Sequence, residues 1–334
     1  MKRSSFLLLA PLLLIGCGGD DGSDSSAAAG SNSGAAPDGG GGGAGGSKGV
    51  IGATCMTTNN PFFITIKEAM EEEAEKHGYV VEYLSGDDNS QRQHEQIKAF
   101  IEKGVDAIAI NPVDAAAIGS SIRDANTAGI PVFTFDMRCS DAAAEVVAHV
   151  GTDNFQGGEL AGQAMNEVLG EDGGEVVIID LKRAESCQQR VAGFKKYVGE
   201  HPEAKIQIVA ELPGYGDQEK GFKAAEDALQ AYPNLAGIFA INDPSGVGAV
   251  AALEKAGKLG QVKVVAFDGQ LLGKQAILEG KIYADPIQFP DKIGRKTIQA
   301  ILAHFRGDEV EPDLMIPSAL YRQADALKDP ELGN

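Results

Sequence analysis

The sequence predicts an α/β protein of two similar lobes, each a doubly wound parallel sheet. Three observations carry that reading. The length of 334 residues fits about two domains. Short apolar runs that end in polar turns alternate with segments of helical period. That rhythm then repeats in the second half of the chain. Repeated βα units imply parallel strands with helices on both faces of the sheet.

The chain begins with an address rather than a fold. Met1-Lys2-Arg3 precedes an apolar run from Phe6 to Ile15, broken by Pro11. Such a run is too short to span a bilayer, which needs about 20 residues, and reads as a secretory signal over residues 1–16. Leu14-Ile15-Gly16-Cys17 resembles the lipobox of bacterial lipoproteins, so Cys17 is the expected lipid attachment residue. Residues 18–47 are nearly all Gly, Ser, Ala, Asn and Asp, which cannot bury enough surface to fold. A tether over residues 17–48 would span about 30 Å as a coil. The expected location is the cell envelope, with the body held at a membrane by lipid.

Beyond Lys48 the elements follow in order. Strands are predicted over residues 50–57, 79–84, 107–111 and 131–135, separated by helices over 62–77, 91–103 and 115–128. Asn60 before Pro61 marks a helix start, and Gly78, Gly104 and Gly129 mark three helix ends. The second half carries strands near 176–179, 206–212, 237–241 and 262–267, joined to the first through residues 146–151.

This topology places the chemistry. In open parallel sheets a ligand sits beyond the carboxyl ends of the strands. What lies there is Asn59-Asn60-Pro61-Phe62-Phe63, Asn111-Pro112, Asp136, Asn242-Asp243 and Asp268-Gly269. Acids and amides suit hydroxyl groups, which both donate and accept, and the C–H face of a sugar ring packs on aromatics. Any one of these residues could be an ordinary turn former or helix cap. Five strand ends together point to a polyhydroxylated ligand.

These residues match a known family. From Gly49 to about Asp325 the chain resembles the periplasmic sugar-binding proteins of bacterial ABC transporters (the type I fold), most closely the ribose-binding branch. The matching motifs are Thr57-Thr58-Asn59-Asn60-Pro61-Phe62-Phe63, Asn111-Pro112, Gly151-Thr152-Asp153-Asn154, Arg190-Val191-Ala192-Gly193-Phe194, Ala240-Ile241-Asn242-Asp243, Phe267-Asp268-Gly269 and Gln288-Phe289-Pro290-Asp291. The resemblance implies that Asn60, Asn111, Asp136, Arg190, Asn242, Asp268 and Gln288 hydrogen-bond the sugar, while Phe62 and Phe63 stack on its ring. It implies a hinge of three chain crossings near Asp153, Gln288 and Ile316. The lobes would then comprise residues 49–153 plus 288–316 and 154–287 plus 317–330. Closure around a monosaccharide would present the protein to a membrane permease and its ATPase. Ribose binders of the family carry an arginine directly after the aspartate matched by Asp136, where this chain has Met137 and then Arg138. They carry an aromatic residue at Gly216, beside which Tyr215 stands. Arg138 and Tyr215 are therefore provisional ligand residues, and D-ribose is the first expected ligand, with another pentose or a small hexose second.

Other readings weigh less. With 29 Lys plus Arg against 48 Asp plus Glu, a formal charge of −19 repels phosphate backbones, so no nucleic-acid partner is expected. Gly246-Val247-Gly248-Ala249-Val250-Ala251 fits a dinucleotide fingerprint, but Asn242-Asp243-Pro244-Ser245 separates it from its strand, so it reads as helix packing and no cofactor is expected. The five histidines show no zinc spacing, and no Gly-x-Ser-x-Gly elbow occurs. Asp136 and Asp268 could pair as in glycosidases, yet a tethered body favours binding over catalysis. A repressor-type regulator would need a basic headpiece where the glycine-rich tether stands, whereas a chemoreceptor ligand carrier would differ only in its partner. A monomer is expected. Beyond Cys17 the odd number of cysteines allows at most one internal pair, for which Cys139 and Cys187 are the candidates, and Cys55 reads as a buried strand residue.

Overall fold

The computed structural model describes residues 47–333. The signal segment, Cys17 and all but the last two residues of the tether lie outside the described residues. No described helix is long and apolar enough to cross a membrane.

The first lobe runs β1 (Gly49–Cys55), α1 (Pro61–Lys76), β2 (Tyr79–Ser85), α2 (Ser90–Lys103), β3 (Ala107–Ile110), α3 (Gly119–Thr127), β4 (Val132–Phe135) and β5 (Ala148–Asp153). The second runs α4 (Asn154–Leu169), β6 (Gly174–Asp180), α5 (Glu185–Glu200), β7 (Ile206–Pro213), α6 (Gln218–Ala231), β8 (Leu235–Ala240), α7 (Asp243–Lys255), β9 (Lys263–Val265), α8 (Leu271–Leu278) and β10 (Ala284–Ile287). The chain then returns through α9 (Pro290–Phe305) and β11 (Asp313–Pro317) to the first lobe, and ends with β12 (Ala319–Arg322) and α10 (Gln323–Ala326) in the second.

Two six-stranded sheets result, ordered β11-β5-β4-β3-β1-β2 and β12-β10-β9-β8-β6-β7. Every pairing is parallel except β10 with β12. In each sheet the strand order reverses beside the first strand, β1 or β6, which opens a crevice at the carboxyl ends. The fold class predicted from the sequence is the one observed. The chain passes between sheets three times: from β5 into α4, from β10 into α9, and from β11 into β12 through Ser318.

Local chemistry explains the element ends. Asn60 Oδ1 accepts the Phe62 N–H at 3.0 Å and caps α1, with Pro61 at its first position. Gly104 closes α2 with φ 68°, a conformation that spares it the Cβ clash. The third helix starts at Gly119 rather than 115, because Asp114 Oδ1 accepts the N–H groups of Ala116 and Ala117 and holds a turn.

The segment 146–151, read as a connection between lobes, instead contributes β5 to the first sheet. His149 is buried there, its Nδ1 3.0 Å from Thr134 Oγ1, so a polar side chain inside the run did not end the strand. Strand β10 was hidden by Pro286, a residue that usually argues against a strand. Cys55, Cys139 and Cys187 are free thiols. Cys139 packs against the first lobe and Cys187 within the second, so the candidate pair does not form.

Glycines set the close approach of α4 and α5. A Cβ on Gly193 would run into the Phe155 carbonyl oxygen, and one on Gly158 into the Arg190 carbonyl oxygen. Gly193→Ala should therefore cost about 1–3 kcal/mol, since overpacking forces the backbones apart. Gly199→Ala, on the same helix with open space around it, should be neutral or gain up to about 1 kcal/mol. Urea unfolding of both variants measures this, and equal stability of the two would contradict the packing.

Candidate functional site

The two sheets present equivalent strand ends. Asn111 follows β3 and Asn242 follows β8, while Asp136 follows β4 and Asp268 lies just past β9. Asp136 and Asp268 both adopt positive φ, 59° and 119°, which is strained for residues with a Cβ.

In the second lobe Arg190 and Asp268 form a buried ion pair, 5% and 9% exposed, with Nη1 2.8 Å from Asp268 Oδ1. Each partner is held further. Arg190 Nε donates to Asn154 Oδ1 and Nη1 to the Ile241 carbonyl, both at 2.8 Å. Its guanidinium lies 3.9 Å from the centre of the Phe267 ring. Gln288 Nε2 donates to the same Asp268 Oδ1 at 2.8 Å, and Gln288 Oε1 accepts from Thr152 Oγ1 at 2.7 Å. The pair is thereby tied to two of the three passages between lobes. At the third, Gln156 of α4 accepts the Ser318 N–H at 2.9 Å.

In the first lobe Asn111 is fully buried, accepts the Met56 N–H at 3.0 Å and donates to Asp136 Oδ2 at 3.0 Å. Burial raises the Asp136 carboxyl to about 7; Arg190 opposes the rise and Asp268 adds to it. Both of those groups belong to the other lobe. Asp268 is also raised by burial, against Arg190 and Gln288, which favour its charged form. At the seam a cavity of about 20 Å³, lined by Asp136, Arg138, Thr152, Asn154, Glu185 and Met315, has room for about one water.

The remaining predicted residues take other positions. Phe63 is 4% exposed and sits in the first-lobe core, with Phe62 edge-on at 5.3 Å and partly exposed. Asn242 caps α7 through Oδ1 and donates to the Gly216 carbonyl at 3.0 Å. Asn60 is engaged at the start of α1. Arg138 turns to Asp313 of β11 at 2.6 Å. Tyr215, at φ 53°, is 54% exposed with the Lys220 ammonium 5.2 Å above its ring, so neither it nor Arg138 bonds to the Arg190–Asp268 network. Asn154, Thr152 and Phe267 belong to that network without having been predicted as ligands. They too stand at strand ends, after or within β5 and beyond β9, so the strand-end rule could have found them.

Among the described residues no group of three or more His, Cys, Asp or Glu is placed to hold a metal ion. A Cβ on Gly248 would strike the Gln218 carbonyl of α6, so that glycine serves helix packing.

The sequence profile of the periplasmic binding protein domain covers residues 51–309. The chain belongs to the periplasmic binding protein family. Among relatives of this family, a ribose import binding protein of Escherichia coli is 33% identical over 79% of this chain and 87% of its own. A periplasmic solute-binding protein from Actinobacillus succinogenes, solved with bound D-allose, superposes with a TM-score of 0.78 at 29% identity, covering 84% of this chain and all of that one. A solute-binding protein from Bacillus halodurans with bound myo-inositol gives 0.75 at 27% identity, covering 85% and 98%.

The raised Asp136 sets a pH dependence in this periplasmic binding protein. Its carboxyl binds a proton more tightly folded than unfolded, so its contribution is favourable at low pH and is lost as pH rises through about 7. The stability advantage of Asp136→Asn over the native protein should begin above about pH 4 and grow by about 2–3 kcal/mol between pH 5 and pH 8. Thermal unfolding at both pH values checks it; a difference independent of pH would contradict the assignment.

Proposed function

We propose that this protein is the solute-binding component of a sugar ABC importer, capturing a monosaccharide, D-ribose first, and handing it to a membrane permease driven by its ATPase. One observation carries the reading: Asp136 and Asp268 stand past matching strand ends of the two lobes, Arg190 is paired with Asp268, and Asp136 lines a cavity at the seam with Asn154, which holds Arg190. A carboxyl from each lobe and a cation from the second suit a ligand whose hydroxyls donate and accept at once, and charge-assisted bonds are the stronger kind. Asn60, Asn111, Asn242 and Gln288 add amides, and Phe62, backed edge-on by Phe63, offers a ring face.

Support for D-ribose comes from the E. coli relative, whose name states ribose import, while the neighbours with D-allose and myo-inositol speak for polyhydroxylated rings more broadly. On this reading the lobes, residues 49–153 plus 288–316 and 154–287 plus 317–330, close about the passages between them. The protein works as a monomer in the periplasm, anchored by lipid on Cys17. Cys17→Ser should leave the membrane fraction, and its retention there with the signal removed would sink the anchor.

A thermal-shift screen of ribose, xylose, arabinose, allose, galactose and glucose tests the ligand. At about 100-fold excess over the dissociation constant a true ligand adds about 2.7 kcal/mol to stability. Phe62→Ala should weaken binding by about 1–2 kcal/mol with folding kept, since its ring is partly exposed. Arg190→Ala should cost about 2–5 kcal/mol of binding and lower stability too, because Asp268 is left buried and unpaired. Absence of a shift with every sugar would overturn the reading.

A further inference from the structure

Beneath Asp268 lie two further carboxyls that the ligand reading does not use. Asp243, the first residue of α7, and Asp285 of β10 are both fully buried. Each accepts one backbone N–H of the same loop: Gln270 N–H to Asp243 Oδ2 at 2.7 Å, and Gly269 N–H to Asp285 Oδ2 at 2.9 Å. That loop is strained, with φ 119° at Asp268 and 79° at Gly269 in succession. The remaining oxygens, Oδ1 of each, are buried, and no other described group donates to them. On the other side, Gly273 of α8 presses so close that a Cβ there would strike the Asp243 carboxyl.

The charges around the pair are accounted for. Arg190 of α5 is committed to Asp268. Lys274 of α8 is bonded to Asp329 and Glu331, and the hydroxyl of Tyr321, opposite Asp285 on β12, donates to Asp329. Asp268 is a third negative group nearby. Two buried carboxylates with no cation of their own cannot both ionise, and one proton between them satisfies both free oxygens. We propose that Asp243 and Asp285 share a single proton and act as positioning residues, fixing the 268–270 loop and with it the Asp268 carboxylate for sugar binding. Burial first, then the neighbouring carboxylates, raises the Asp243 carboxyl, and burial also raises that of Asp285. Loss of the proton would set two charges against each other under the loop and release it.

The proposal rests on the reading that Asp268 meets the sugar, so its test has an arm without ligand. In the ligand-free protein the amide resonances of Gly269 and Gln270 should move together as pH is raised from about 7 into the alkaline range and the shared proton leaves, and should stay still in Asp285→Asn, whose amide donates at every pH. With D-ribose as probe, calorimetry should show native affinity falling about tenfold or more over that range. Asp285→Asn should stay within about threefold of native near pH 7 and show a smaller fall, that of Asp136 alone, while Asp285→Ala should bind weakly throughout. Amides that stay still in the native protein, or the same alkaline fall in Asp285→Asn, would overturn the proposal. If D-ribose fails to bind at any pH the ligand reading falls by itself, and the amide titration still decides for or against the shared proton.

Discussion

The buried ion pair of Arg190 and Asp268 is the contact on which the seam depends. A buried pair is stabilising only when its remaining donors and acceptors are met, since desolvation costs several kcal/mol per ion. Here Asn154, the Ile241 carbonyl, Gln288 and the face of Phe267 meet them. Two of those partners, Asn154 and Gln288, stand where the chain passes between lobes. The Asp268 carboxylate is therefore linked to two of the passages without any intervening element, and on the proposed function the groups offered to a ligand are the same groups that hold those passages. On the proposed function Arg190 would serve binding and stability together.

The lobes repeat one template with different tuning. Asn111 and Asn242 occupy equivalent strand ends, yet Asn111 is sealed against Asp136 while Asn242 caps its helix and takes the Gly216 carbonyl. Asp136 has a neutral amide beside it and is raised to about 7; Asp268 has a cation and an amide. One lobe thus supplies a proton-sensitive acceptor and the other a charge-compensated one. A ligand with several adjacent hydroxyls can use both, whereas a ligand with a single polar group cannot.

Much of this was legible in the sequence because it follows from periodicity and caps. The alternation of apolar runs with helical segments located β1 to β4 and β6 to β9, and the strand-end rule located Asn111, Asp136, Asn242 and Asp268. Arg190 is different: it lies inside α5, where nothing in its neighbours distinguishes an inward cation from a surface one, and only the family resemblance singled it out. Long-range choices were not legible. Arg138 bonds a residue 175 positions away, and the left-handed backbone at Tyr215 leaves its ring largely in solvent rather than in the network. Strands β5 and β10 were hidden by His149 and Pro286; the His149 ring is held by Thr134, and the Pro286 carbonyl still accepts the Asp268 N–H at 3.2 Å. Phe63 read as a ring-stacking residue is in fact core, a distinction that burial makes and spacing does not.

On the proposed function, sugar draws two lobes together through a network anchored at the passages between them. Small-angle X-ray scattering of the protein with and without a saturating monosaccharide identified by the thermal screen addresses it most directly. The expected result is a smaller radius of gyration with sugar, and a loss of that contraction when Gln288 is replaced by alanine at saturating ligand. An unchanged radius in the native protein, with binding established by calorimetry, would contradict it.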